Sequence, residues 1–221
     1  MKIVDGVYQV DGVNGNVHLV EDDAKLTLID TGLPRSSGKI IKHIKQLGYE
    51  PSSVSTIKLT HFHIDHVGSA KKMQELTNAK IAVHEAEADV VAAKKSPPKP
   101  KKLLVKALNS IFKATPVEPN LQLKDGDKIG GLLVIHTPGH SEGSISLLDE
   151  KRKVMFVGDA IRFVDGKVKG PPEGFTLDMA RAKESIRRIS TFDFDVMLSG
   201  HGEPLMSSAS EKLKNYYASL K

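Results

Sequence analysis

Cysteine is absent from the 221 residues. That removes disulfides, thiolate nucleophiles and thiolate metal sites together, so any metal must sit on His, Asp or Glu. No apolar run approaches the roughly 18 residues of a membrane span, so an integral membrane protein is not expected. The opening MKIVDGVYQV carries Asp5 and Gly6 where a signal peptide has its apolar stretch. A cytoplasmic location is the expectation. Asn and Gln are sparse beside abundant Lys, a composition compatible with a thermophilic source.

What is present is an ordinary globular composition. Apolar residues make up 39% of the chain and 18 glycines accompany them, which excludes a disordered chain. The length suits one domain with a sizeable core, spanning residues 1–221. The net charge of +5 is mostly local. Residues 94–113 (KKSPPKPKKLLVKALNSIFK) hold seven lysines and no acid, leaving the rest of the chain near neutral. A global nucleic-acid surface is therefore not indicated. This Lys/Pro-rich insert, at about 94–120, has a stiff elbow at Pro97, Pro98 and Pro100. Leu104, Leu108, Ile111 and Phe112 then form one apolar helix face. It reads as a packed helix or as a lid over the substrate.

The periodicities outline the fold. Val4, Tyr8 and Val10 form one short strand run, and Val17–Val20 and Leu26–Ile29 two more. Ile40, Ile41, Ile44 and Leu47 fall at helical spacing, stopped by Gly48. A buried strand at Val54–Leu59 precedes a helix at Val67–Leu76, a strand at Lys80–Val83 and a helical segment at Glu85–Ala93. Strands near Leu132–Ile135, Ser144–Leu148 and Val154–Val157 come next. A helix at Leu177–Ile189, a strand at Val196–Leu198 and a helix at Ser208–Leu220 complete the chain. Strands followed by strand–helix alternation, twice over, predict an α/β fold of two halves packed sheet on sheet with helices outside.

The chemistry is concentrated in Thr60-His61-Phe62-His63-Ile64-Asp65-His66-Val67-Gly68. In an extended turn His61 and His63 point the same way and can reach one ion. Asp65 and His66, where the chain turns into a helix, can face a second. Further donors follow apolar strands, each beside a glycine: His140 in Thr137-Pro138-Gly139-His140, Asp159 in Gly158-Asp159, and His201 in Gly200-His201-Gly202. Each alone is an ordinary turn residue; together they read as a metal site. His18, His43, His84 and His136 lack such company and read as core or surface histidines.

The HxHxDH run, the Gly-His, Gly-Asp and Gly-His-Gly turns and an early Asp30-Thr31-Gly32 closely resemble the metallo-β-lactamase superfamily. The resemblance covers nearly the whole chain. It implies an αββα sandwich of two mixed sheets with the metal site at one edge. It assigns His61, His63 and His140 to a first metal and Asp65, His66 and His201 to a second, with Asp159 bridging. Asp30 matches a buried aspartate that orients a ligand or anchors the loop. The cofactor expected is two divalent ions, zinc first, with iron or manganese suiting the same donors. The implied enzyme is a hydrolase whose metal-bridging hydroxide attacks an electrophile, with Asp65 shuttling the proton. Arg162, three residues after Asp159, is a candidate contact for an anionic part of a small-molecule substrate.

The ligand set looks like the glyoxalase II and lactonase branches, so an ester, thioester or lactone is the first expectation. Only 20 residues follow His201, which does not accommodate the C-terminal helical domain of longer glyoxalase II enzymes. Lactonases place a tyrosine shortly after the bridging aspartate, whereas here none follows Asp159 until Tyr216. The alternatives are a phosphodiesterase or nuclease using the lysine insert, a mononuclear iron persulfide dioxygenase, and a non-catalytic metal-binding module.

Overall fold

The structure is a computed structural model and describes residues 1–98 and 114–220. The helix face Leu104, Leu108, Ile111 and Phe112, and with it the lid reading, lies outside the described residues. Two compact units divide the chain: residues 1–97 with the described part of 107–123, and 124–220. Among the described residues, no helix is long and apolar enough to cross a membrane.

The first unit is built on a seven-stranded mixed sheet: β1 (Lys2–Val4), β2 (Val7–Gln9), β3 (His18–Asp22), β4 (Lys25–Ile29), β5 (Val54–Lys58), β6 (Lys80–His84) and β7 (Leu121–Leu123), in that spatial order. β1 to β4 pair antiparallel, and β4 to β7 pair parallel. The run from Val4 to Val10 is thus a hairpin turning at Asp5-Gly6, where periodicity alone suggested one strand. The parallel strands are linked by α1 (Ser37–Gln46), α2 (Ile64–Val67), α3 (Ala70–Thr77) and α4 (Glu85–Val91). Period-two alternation sends Leu26, Leu28, Ile57, Leu59, Ile81 and Val83 into one core with Ile40, Ile44, Met73 and Val91. The same alternation puts Thr27, Thr56 and Lys58 on the other face, where all three are buried.

The helix expected over 67–76 is broken in two, and packing explains why. A Cβ on Gly68 would lie 2.4 Å from Ile64 O and 2.5 Å from Pro34 Cδ. The chain bends there against the Pro34 loop. The Ser69 hydroxyl locks the bend, donating to Leu33 O at 2.8 Å and accepting from Ser36 N at 3.0 Å. The short α2 therefore carries only Ile64–Val67.

The second unit has a five-stranded sheet in the order β14 (Val196–Ser199), β11 (Val154–Gly158), β10 (Ile145–Asp149), β9 (Leu132–His136), β8 (Lys128–Ile129). β8 to β11 pair antiparallel, and β11 pairs parallel with β14. A separate hairpin, β12 (Arg162–Val164) and β13 (Lys167–Lys169), was not visible in the periodicity. Two helices follow, α5 (Met179–Ile189) and α6 (Ala209–Ser219). Asp178 caps α5, its Oδ1 accepting from Ala180 N and Arg181 N at 2.9 and 3.0 Å. Ile186, Ile189 and Leu213 pack with Met155, Val157, Phe194 and Met197 in one core. Two mixed sheets, each with helices, realise the α/β class expected.

Candidate metal centre

Parallel pairing of β4, β5 and β6 brings the carboxyl ends of these strands to one edge of the first sheet. Asp30 follows β4, Thr60 and His61 follow β5, and His84 ends β6. Backbone bonds fix the junctions: Asp30 N donates to Lys58 O and Leu59 N to Ala82 O, both at 2.9 Å. Thr31 then clasps the HxHxDH segment, its N and Oγ1 donating to His66 O at 2.7 and 2.8 Å.

Asp30 organises the imidazoles. Its Oδ1 accepts from Thr60 N, and its Oδ2 accepts from the Thr60 hydroxyl and from His66 Nδ1, all at 2.8 Å. The Thr60 hydroxyl has one proton and gives it to Asp30. Its oxygen therefore accepts from His61 Nδ1, 3.1 Å away. One carboxylate thus orients two buried histidines through their Nδ1 atoms, directly or through Thr60, so that Nε2 is the nitrogen each would turn to a metal ion.

The donor set fits a divalent ion. His61 Nε2 and His63 Nδ1 approach to 3.1 Å. Two nitrogens on a tetrahedral zinc at 2.0–2.1 Å would stand about 3.3 Å apart. Every donor is imidazole or carboxylate, as zinc, iron and manganese all accept. Asp65 lies next in line, one carboxylate oxygen 4.0 Å from His66 Nε2, and its side chain keeps 29% of its surface exposed.

In the second unit β9, β11 and β14 run in the same direction, which collects His140, Asp159 and His201 at the carboxyl edge of that sheet. Asp159 is central. Its Oδ2 lies 3.4 Å from His140 Nε2 and 3.6 Å from His201 Nε2. The Thr176 hydroxyl donates to Pro172 O at 2.9 Å and faces His140 Nδ1 at 3.3 Å. It does for His140 what Thr60 does for His61. Gly139 O and His140 O accept from Asp178 N and Leu177 N, tying this loop to the start of α5.

Each unit therefore gathers its own share of the expected donors: His61, His63, Asp65 and His66 over Asp30 in one, His140, Asp159 and His201 in the other. Arg162 is committed locally, its Nε donating to Gly170 O at 3.1 Å. Among the remaining histidines, His18 is buried in β3. His84 Nδ1 accepts from Ala86 N at the start of α4, and His136 Nε2 meets Glu142 O at 2.9 Å. Sequence reasoning did not find Thr60, Thr176 or Glu87. Glu87, on α4, is buried and accepts from Phe62 N at 3.0 Å, anchoring the middle of the HxHxDH turn. No local pattern marks these three, because each reaches its partner through tertiary contact or through a hydroxyl of ordinary appearance.

The family model described as the metallo-beta-lactamase superfamily matches residues 10–201. The chain is 29% identical to the probable metallo-hydrolase YflN of Bacillus subtilis, over 90% of this chain and 85% of that protein. It is 31% identical to the acyl-coenzyme A thioesterase MBLAC2 of Bos taurus, over 71% of this chain and 64% of that one. The crystal structure of the metallo-beta-lactamase family protein TTHA1429 from Thermus thermophilus matches with a TM-score of 0.76 at 23% identity. That match covers 99% of this chain and 80% of the other. On its fold and its motif set, this chain belongs to the metallo-β-lactamase superfamily of metal-dependent hydrolases.

Proposed function

We propose that this chain is a dinuclear zinc enzyme that hydrolyses a carboxylic ester, thioester or lactone. The observation that carries this is the Asp30–Thr60 relay, which holds His61 and His66 by Nδ1 and so orients Nε2 of each as the metal-binding nitrogen. His61, His63 and His140 would hold one ion, Asp65, His66 and His201 the other, and Asp159 both. The family model spans all seven.

Bound divalent ions supply Lewis acidity and lower the pKa of water from 15.7 to about 7. The protein's own contribution is orientation and proton traffic. Asp30 and Thr60 hold the rings of His61 and His66, and Thr176 holds that of His140. Of the two carboxylate donors Asp65 is the exposed one, Asp159 being buried, and the Asp65 carboxylate takes the proton from the attacking water and returns it to the leaving group. In a thioester, water oxygen bonds to the acyl carbon, the C–S bond breaks, and a carboxylic acid and a thiol leave. The similarity to an acyl-coenzyme A thioesterase supports placing thioesters first among the small-molecule substrates.

The test is a hydrolysis panel on zinc-loaded protein, with Asp159→Ala as blank. It pairs an acyl thioester, an acyl-homoserine lactone and an activated phosphodiester at matched concentrations. Turnover of a carbonyl substrate well above the blank is expected. Phosphodiester turnover alone would overturn the reading in favour of a phosphodiesterase.

A further inference from the structure

The HxHxDH segment has a second side. While His61 and His63 present nitrogens to one another, Phe62, Ile64 and Val67 line a cavity of about 630 Å³. Val90 and Val91 of the α4 segment, with Ala114 and Val117, extend its apolar wall. Val67, Val91 and Val117 are each at least 94% buried. His63 lies in the same lining. A volume of this size with a mainly apolar wall and few polar groups is that of a small-molecule pocket.

We propose that this cavity receives the hydrocarbon chain of the acyl group whose carbonyl is cleaved. The proposal rests on the hydrolase reading above, because His63 would then be both a metal ligand and a wall of the pocket. A carbonyl held beside His63 has its acyl substituent against Phe62, Ile64 and Val67. Lys95 is the sole lysine or arginine of the described lining, and no carboxylate is among them. A phosphate-rich group or a sugar would leave that wall unused, whereas a straight chain of methylenes matches it. Each methylene transferred from water to such a wall strengthens binding about fourfold until the cavity is full.

The experiment measures displacement of a fluorescent fatty acid from the zinc-loaded protein by straight-chain carboxylic acids of four to twelve carbons. Thioester hydrolysis is followed over the same chain lengths. Affinity and kcat/KM are expected to climb about three- to fourfold per methylene and then level off. Val90→Trp and Ala114→Trp, at half-buried positions of the same lining, should move the plateau to shorter chains with zinc content unchanged. Binding independent of chain length, or a series that neither substitution shifts, would overturn the cavity assignment. A normal binding series without hydrolysis of any thioester, ester or lactone would leave the pocket standing and sink the hydrolase reading instead.

Discussion

Asp30 and His66 are joined through Oδ2 and Nδ1 at 2.8 Å, and the same Oδ2 takes the Thr60 hydroxyl at 2.8 Å. A single carboxylate oxygen therefore orients two imidazoles, one directly and one through an alcohol. Removing the alcohol should loosen only the indirect branch. Thr60→Val is expected to weaken zinc binding about 10- to 100-fold, measured by competition with a chromogenic chelator, while Thr60→Ser restores it. Equal affinity in Thr60→Val would show that the relay does not tune the site.

Gly15 holds the same segment from outside. Its φ is +76°, and a Cβ there would lie 2.1 Å from Asp65 O. Both strain and collision oppose any side chain. Gly15→Ala should cost about 2 kcal/mol or more in urea unfolding and displace Asp65, lowering turnover as well. Gly126→Ala has a similar φ of +84° but open space around it. It should cost about 1 kcal/mol and leave turnover alone.

Lys58 is fully buried on β5, with its Nζ 3.4 Å from Thr27 Oγ1. Burial pushes its pKa down from 10.5 to about 8. The unfolded chain binds the proton more tightly, so the folded state is penalised at and below pH 8 and recovers as pH rises towards 10.5. Lys58→Met should therefore raise stability by about 3 kcal/mol at pH 7. The gain should fade above pH 10, which chemical denaturation at the two pH values checks.

His18 gives an acid-side counterpart. Its burial lowers the pKa from 6.5 to about 3. Above pH 6.5 both states are neutral and nothing is lost. Below it the unfolded chain takes up a proton that the folded one refuses, so stability falls with pH down to about 3. The loss attributable to this residue reaches about 5 kcal/mol at the acid end. His18→Gln should flatten the stability profile between pH 6.5 and 4; an unchanged slope would assign acid sensitivity elsewhere.

The short-range signals were legible in the chain. Ile40 and Ile44 at helical spacing, the apolar run Val54–Leu59, and the HxHxDH, Gly-His and Gly-Asp turns each announce their element or their chemistry within a few residues. Patterns of period two and 3.6 are local, and so is a pair of histidines on one side of an extended turn. The break at Gly68 was not legible, since it depends on Pro34 lying 2.5 Å from where a Cβ would be. Nor was the hairpin Arg162–Lys169, whose three-residue strands hold too little alternation to stand out.

By itself, then, the sequence determined the donor types, their position after apolar strands and the family to which the chain belongs. Only the tertiary structure decided which hydroxyl and which carboxylate fix each imidazole. Thr60 and Asp30 are 30 residues apart, His66 and Asp30 are 36, and Thr176 and His140 are 36. Hydrogen bonds over such separations are set by strand order and register, which a local pattern does not encode. The apolar cavity beside His63 belongs to the same class, because its walls come from segments that meet only when the sheet and its helices have packed.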